Sequence, residues 1–123
     1  MRDDALALIA DSEDVGVVLH EPDWHEGVVG LVASRVKDAL HRPVIAFARA
    51  HERGMLKGSG RSIPGLHLRD ALAAVDAQYP GLITRFGGHA MAAGLSMPEE
   101  GLAAFRTVFD AQCRALLDDD ALA

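Results

Sequence analysis

Short β-branched apolar segments alternate with segments of helical periodicity along this chain. The segment 15–20, Val-Gly-Val-Val-Leu-His, is typical of a buried strand. Asp23 and Glu26 then have the spacing of a capping box, which predicts the start of a helix. Apolar residues at helical spacing follow: Val29, Val32, Ala33, Val36 and Leu40. This alternation predicts an α/β fold in which helices cover a sheet.

The rest of the chain continues the same alternation. Strands are predicted at 44–48, 55–63 and 92–97, and Pro80-Gly81 is predicted to end a second helix. The second helical stripe comprises Leu68, Ala71, Leu72, Val75 and Tyr79. The third comprises Leu102, Phe105, Phe109, Cys113 and Leu116. The order β-α-β-β-α-β-α predicts one domain, residues 1–123, with a mixed sheet of about four to five strands packed with three helices in two or three layers.

Three local features are less regular. Ser96 and Glu99 have S-x-x-E spacing and are predicted to cap the last helix. The three aspartates 118–120 are expected to fray its end, because acids there oppose the helix macrodipole. The segment 82–86 is too short to assign, and Gly87-Gly88-His89 is expected to be irregular backbone.

Charge is distributed unevenly along the 123 residues, whose formal net charge is -6. Residues 1–26 carry -7 and residues 97–123 carry -4, whereas residues 27–96 carry nine basic and four acidic side chains, for +5. A basic centre can face a phosphate chain, although an unevenly charged solvated surface is the simpler interpretation of charge alone.

The cysteine content and the hydropathy of the chain indicate where in the cell the protein is located. Cys113 is the only cysteine, so an intrachain disulfide is excluded and a reducing cytosol is expected. No apolar run approaches the roughly 20 residues that span a bilayer. These features predict a cytoplasmic protein without a membrane partner.

The segment 57–62, Lys-Gly-Ser-Gly-Arg-Ser, suits a phosphate. Gly58 and Gly60 allow close approach to the backbone, while Ser59 and Arg61 offer a hydroxyl and a guanidinium. The spacing is not that of a Walker loop. A glycine-rich turn or edge strand remains the alternative interpretation.

A second glycine-rich segment precedes a histidine. Gly87 and Gly88 leave room around His89, whose imidazole can donate to phosphate, bind a metal or act as an acid. A histidine with a purely structural role is the competing interpretation.

The segment 23–30 places Gly27 and Gly30 in the first turns of the first helix, where glycine lowers helix propensity. These glycines suit close packing or a phosphate at the helix N-terminus. Trp24 can stack on a base, but a core or domain-interface position is favoured because the chain has few other large side chains. The sequence leaves the role of His25 open.

Metal-dependent chemistry within this chain is not expected. The six histidines are scattered and no Cys-x-x-Cys pair exists, which argues against zinc. Asp70 and Asp76 are isolated in the basic centre, so no carboxylate cluster there is expected to hold two divalent ions.

Four strings together carry a family resemblance. They are Asp-Trp-His-Glu-Gly-Val-Val-Gly at 23–30, Arg-Pro-Val-Ile at 42–45, Gly-Ser-Gly-Arg-Ser-Ile at 58–63 and Phe-Gly-Gly-His-Ala-Met-Ala-Ala-Gly at 86–94. In this order they resemble the C-terminal, DHH-associated domain of RecJ exonucleases over about residues 14–117.

The resemblance implies a part in 5′–3′ digestion of single-stranded DNA during recombination and repair. It implies phosphate contacts from Ser59 and Arg61 and a substrate-facing position for His89. It also implies Mn²⁺ or Mg²⁺ held by a separate DHH domain, which nothing in this chain matches. The chain is therefore expected to be a fragment, inactive alone, with single-stranded DNA and the DHH domain as partners.

Two other classes of function remain open. One is the substrate-binding domain of a DHH-family phosphoesterase that acts on short oligonucleotides or cyclic dinucleotides; the C-terminal domain of alanyl-tRNA synthetase is a further cousin. The other is an interaction module with an acidic surface.

Overall fold

A computed structural model describes residues 14–117. Their strands form one five-stranded mixed sheet. The strands lie in the order β1-β2-β3-β5-β4; β1 and β2 are parallel, and every other neighbouring pair is antiparallel. Their bounds are β1 Val17–His20, β2 Val44–Arg49, β3 Met55–Arg61, β4 Arg85–Gly88 and β5 Ala92–Pro98. The α/β fold with a mixed sheet is confirmed.

Within residues 14–117, three helices cover the sheet, as the sequence predicts. They are α1 (Glu26–Leu40), α2 (Leu68–Gln78) and α3 (Leu102–Leu116), the last preceded by a 3₁₀ turn at Glu99–Gly101. Helix α1 packs on one face against β2 and β3, and α2 and α3 pack on the other face. The domain therefore has three layers. None of these helices is long and apolar enough to cross a membrane.

Strand β2 lies inside the sheet and is apolar on both faces, as a strand covered from both sides must be. Ile45 and Phe47 join the core on the α2–α3 side. There the rings of Phe47 and Phe105 pack edge to face, with their centroids 5.7 Å apart. On the other face, α1 contributes its valine stripe to a separate apolar cluster with Val44, Ala46 and Ala48. Both helix-facing sides of the sheet are thus held by apolar burial.

The helix starts differ from the predictions. Helix α1 begins after His25 with no side-chain cap, so the capping box at Asp23 and Glu26 is wrong. The predicted Ser96 cap is wrong as well, because Ser96 lies in β5 and the 3₁₀ turn separates it from α3. Tertiary packing of the apolar stripes therefore fixes these helices without the local signal.

The apolar stripes are confirmed except at the last positions of α2 and α3. Tyr79 caps the end of α2 and is half exposed, and Leu116 is exposed while Leu117 is buried. The predicted fraying at 118–120 concerns residues outside the described part of the chain.

Strand β4 corrects the expectation of irregular backbone at Gly87 and Gly88. Both glycines pair with β5, Gly87 opposite Gly94 and Gly88 opposite Ala93. Gly88 has φ 139°, and a Cβ there would lie 2.5 Å from the carbonyl oxygen of Ala92. Glycine therefore lets this strand turn sharply into the following loop.

Candidate nucleic-acid interface

Ser59 and Arg61 lie on the face of β3 that is turned toward α1. Residues two apart on a strand share a face, and Nη1 of Arg61 donates to Oγ of Ser59 at 3.1 Å. The same nitrogen donates to the carbonyl oxygen of Gly60 at 2.7 Å. The pair predicted from the sequence is therefore brought together, and the guanidinium is held in place by its own strand.

Helix α1 passes closely over this pair at Gly30. A Cβ at Gly30 would lie 3.0 Å from Nη2 of Arg61 and 3.2 Å from Oγ of Ser59. The close-packing role predicted for Gly30 is confirmed. Gly27 differs, because a Cβ there would meet nothing within 4 Å.

Gly58 and Gly60 lie on the opposite face of β3, buried against the core. A Cβ at Gly58 would lie 2.5 Å from the Phe47 ring, and one at Gly60 would lie 2.9 Å from Leu68. Their missing side chains make room for core packing. Their assignment as phosphate contacts stays a prediction, and this packing supplies a different reason for glycine at both positions.

The loop between β4 and β5 carries His89 at the same end of the sheet as Arg61, since Ala92 pairs with Arg61. The His89 side chain is exposed, and its backbone N–H donates to the carbonyl oxygen of Ala92 at 2.8 Å. The carbonyl oxygens of Ala90 and Met91 accept from backbone N–H groups of α2 and of the residue after β3. His89 is thus exposed on a loop whose backbone is held by hydrogen bonds.

Two basic residues that were not among the predicted phosphate contacts lie on the same face. Lys57 of β3 and Arg85 of β4 line a groove of about 260 Å³ together with Gly87, Gly94 and Ser96. The period of two along β3 could have identified Lys57, because it places Lys57, Ser59 and Arg61 in line. Arg85 lay in a segment that the sequence left unassigned.

Trp24 is a core residue. It is 4% exposed and packs with the α1 cluster, so its indole is closed to a nucleobase. The core interpretation of Trp24 is confirmed, and stacking by Trp24 is excluded. His25 is exposed at the N-cap of α1.

Metal ligands are not gathered in the described part of the chain. Among residues 14–117, no group of three or more His, Cys, Asp or Glu side chains could hold a metal ion. The donors on the α1-side face are guanidinium, ammonium and hydroxyl groups, which suit anions rather than cations. This chemistry fits phosphate binding.

A family model described as the DHHA1 domain matches residues 13–115. The chain belongs to the DHHA1 domain family. Two relatives are named single-stranded-DNA-specific exonuclease RecJ. That of Haemophilus influenzae is 55% identical over 107 residues, which cover 87% of this chain and 18% of the relative. That of Escherichia coli is 54% identical over 107 residues with the same coverage. The resemblance to the RecJ domain is confirmed.

Solved structures agree with this family. RecJ from Thermus thermophilus in complex with Mn²⁺ matches with TM-score 0.76 and 34% identity, over 95% of this chain and 17% of that one. The same protein has been solved in complex with Mg²⁺. The C-Ala domain of Aquifex aeolicus alanyl-tRNA synthetase matches over 80% of this chain and 96% of that one, with TM-score 0.54 and 11% identity, and shares the fold alone. The DHHA1 domain spans less than a fifth of its RecJ relatives.

Proposed function

We propose that this DHHA1 domain binds the phosphate backbone of single-stranded DNA as part of a RecJ-type 5′–3′ exonuclease that acts in recombination and repair. The observation that carries the proposal is the Ser59–Arg61 pair on the α1-side face of β3. The names of the relatives, single-stranded-DNA-specific exonuclease RecJ, supply the substrate class.

The hydrogen bonds of the pair leave donors for a ligand. Nη1 of Arg61 makes both contacts to the strand, and within residues 14–117 Nη2 and Nε have no protein acceptor. Oγ of Ser59 accepts from Arg61, so its own hydroxyl hydrogen is left to donate. A phosphate oxygen pair can take a planar fork from Arg61 and a third bond from Ser59.

Such a site contacts phosphate groups, which are the same for every base, so it does not distinguish base sequences. Binding is therefore expected to be independent of sequence and to weaken steeply with salt, because released counterions drive it. The +5 centre of the chain supplies the attraction, whereas the acidic ends oppose it. We expect the isolated domain to bind weakly.

Hydrolysis is assigned to a DHH domain elsewhere in a longer protein. RecJ structures hold Mg²⁺ or Mn²⁺, and the donor set described above does not fit such an ion. No hydrolytic step is therefore assigned to this domain. Digestion of labelled single-stranded DNA by the purified chain with Mn²⁺ would contradict this division.

The single buried cysteine suits a reducing cytoplasm, where we place the protein.

The test compares variants of Arg61 and Ser59 in a fluorescence anisotropy titration with single-stranded DNA at low salt. Arg61→Ala should weaken binding by about tenfold to a hundredfold, and Ser59→Ala by less, since charge-assisted contacts exceed neutral ones. Arg61→Lys should recover part of the loss, because an ammonium lacks the planar fork.

Arg35 provides the matched control. It is exposed on α1, five residues after Gly30 and so about 140° around the helix from it. Arg35→Ala removes the same charge away from the pair and should leave affinity nearly unchanged. Equal losses of affinity for Arg35→Ala and Arg61→Ala would mean that net charge alone explains the effect. Unchanged binding by Arg61→Ala would overturn the proposal.

The competing substrates are distinguished by displacement. A cyclic dinucleotide or dinucleotide that displaces a longer single strand at much lower concentration than unlabelled single strands do would favour the short-ligand alternative. We expect the longer strand to compete better, because it offers more phosphates to the basic face.

A further inference from the structure

Lys57, Ser96 and Arg85 form one row across three neighbouring strands. Ser96 of β5 pairs with Lys57 of β3 on one side and with Arg85 of β4 on the other. Residues directly opposite each other in antiparallel strands point to the same face and lie about 5 Å apart. The row therefore places a half-buried hydroxyl between two long cationic side chains.

The row lies on the α1-side face of the sheet, the face of the Ser59–Arg61 pair. Nζ of Lys57 lies 3.4 Å from a carboxylate oxygen of Glu26 in the first turn of α1, which fixes the face. Lys57, Arg85 and Ser96 also line a single groove. Both cations are thus gathered on the same surface as the pair.

Backbone alone separates the row from Ser59. Ser59 pairs with Gly94, and Gly94 pairs with Gly87, so the adjacent row has no side chain beyond Ser59. Gly87 and Gly94 are both exposed. Two residues along a strand span about 7 Å. The sheet therefore offers an extended polyphosphate ligand a floor of glycine backbone between Ser59 and the row of Lys57, Ser96 and Arg85.

The geometry points to a second phosphate subsite at Lys57, Ser96 and Arg85, which takes a neighbouring phosphodiester of the strand whose phosphate lies at Ser59 and Arg61. This inference rests on the proposed function and extends it from one phosphate to a path across the sheet. The two cations supply the charge, and Ser96 supplies a short-range hydrogen bond between them.

Glu26 tunes this subsite. Its carboxylate pairs with the ammonium of Lys57, and the Lys57 and Glu26 side chains are 60% and 40% exposed, so the ion pair is readily exchanged for a phosphate. Glu26→Gln removes the competing negative charge and should strengthen single-strand binding roughly twofold to threefold. The effect should vanish in the Lys57→Ala background.

The main test measures the affinity of the chain for single-stranded DNA and for a 5′-mononucleotide at low salt. Arg85→Ala and Lys57→Ala should each weaken binding of the oligonucleotide by roughly threefold to tenfold and leave the mononucleotide unchanged. The double variant should make the log–log salt slope shallower by about 0.7, the value for one phosphate of a single strand. Arg61→Ala should weaken both ligands, and Arg35→Ala neither.

The outcomes separate this inference from the proposed function. Loss of binding in Arg61→Ala with no loss in Lys57→Ala or Arg85→Ala overturns the second subsite alone. No dependence on any of the three residues overturns both proposals. Equal loss for mononucleotide and oligonucleotide in Arg85→Ala would assign Arg85 to the first phosphate, and a lowered unfolding temperature with unchanged affinity would assign the row to structure; either result overturns the subsite.

Discussion

Gly30 of α1 faces Arg61 of β3 so closely that a single added methyl group would lie 3.0 Å from Nη2 of the guanidinium. Glycine inside a helix costs about 1 kcal/mol relative to alanine. The helix carries that cost at a position where the extra volume would press on both Arg61 and Ser59. Gly30 therefore links the packing of α1 to the placement of the proposed phosphate contact.

Gly30→Ala should weaken single-strand binding by about threefold to tenfold without removing any charged group, because the guanidinium must shift by a few tenths of an ångström. Gly27→Ala is the matched control, since its Cβ meets nothing within 4 Å. Both variants gain helix propensity. Anisotropy titrations and urea denaturation should show weaker binding for Gly30→Ala alone. Equal affinities of the two variants would remove Gly30 from the site.

His89→Ala should weaken single-strand binding while leaving the free energy of unfolding within about 0.5 kcal/mol of the parent chain. The exposed imidazole lies on a loop fixed through its backbone, so its removal leaves the loop in place. Urea denaturation and anisotropy measure the two effects. A destabilised variant with normal affinity would favour the structural role instead.

Asp110 of α3 holds the segment that leads into β1. Its Oδ1 accepts from the backbone N–H groups of Val15 at 2.7 Å and Gly16 at 3.0 Å, and its Oδ2 accepts from Nε of Arg114 at 2.9 Å. Asp110→Ala leaves both N–H groups without this acceptor and should lower the free energy of unfolding by about 1–3 kcal/mol. Asp38→Ala, at an exposed carboxylate, should cost much less in the same urea titration. Equal losses would contradict the fastening role.

Burial raises the pKa of the Cys113 thiol far above its ordinary value of 9.0, and the charge of nearby Asp110 adds to the shift. The unfolded thiol ionises near that ordinary value while the folded one stays protonated. The thiol's contribution to stability is therefore fully present below pH 9 and is lost at higher pH, by up to about 1.4 kcal/mol per pH unit.

Urea denaturation of the parent chain and Cys113→Ala between about pH 8 and pH 10 isolates this effect, because every other titrating group is common to both. The stability difference should shift in favour of Cys113→Ala as the pH rises. A constant difference would mean that the folded thiol ionises normally.

The elements with strong periodicity could be predicted from the sequence. Strand β2 and helix α1 owe their existence to apolar residues whose spacing matches a two-sided strand and a one-sided helix. The same period of two placed Ser59 and Arg61 on one face, and the hydrogen bond between them confirms that geometry. The period of residue types along the chain is enough to predict these features.

Features set by tertiary contacts escaped prediction. Strand β4 contains two glycines and exists because β5 offers it a partner. Gly58 resembled a residue that exposes backbone to a ligand, but Phe47, eleven positions earlier, occupies the space beside it. Arg85 joins the basic face through the same pairing with β5. No local pattern records which distant side chain fills the volume beside a glycine or which strand lies alongside another.

Strand β3 performs two tasks with alternate residues: one set of positions shapes the core, and the other carries the polar groups of the α1-side face. Inserting or deleting one residue would exchange the two sets, driving Lys57, Ser59 and Arg61 against apolar rings and exposing the glycines. Substitution at alternate positions escapes this constraint. Point substitutions at Lys57, Ser59 or Arg61 can therefore change what this face binds while the register of the strand is kept, whereas insertions and deletions are expected to be tolerated only in the turns.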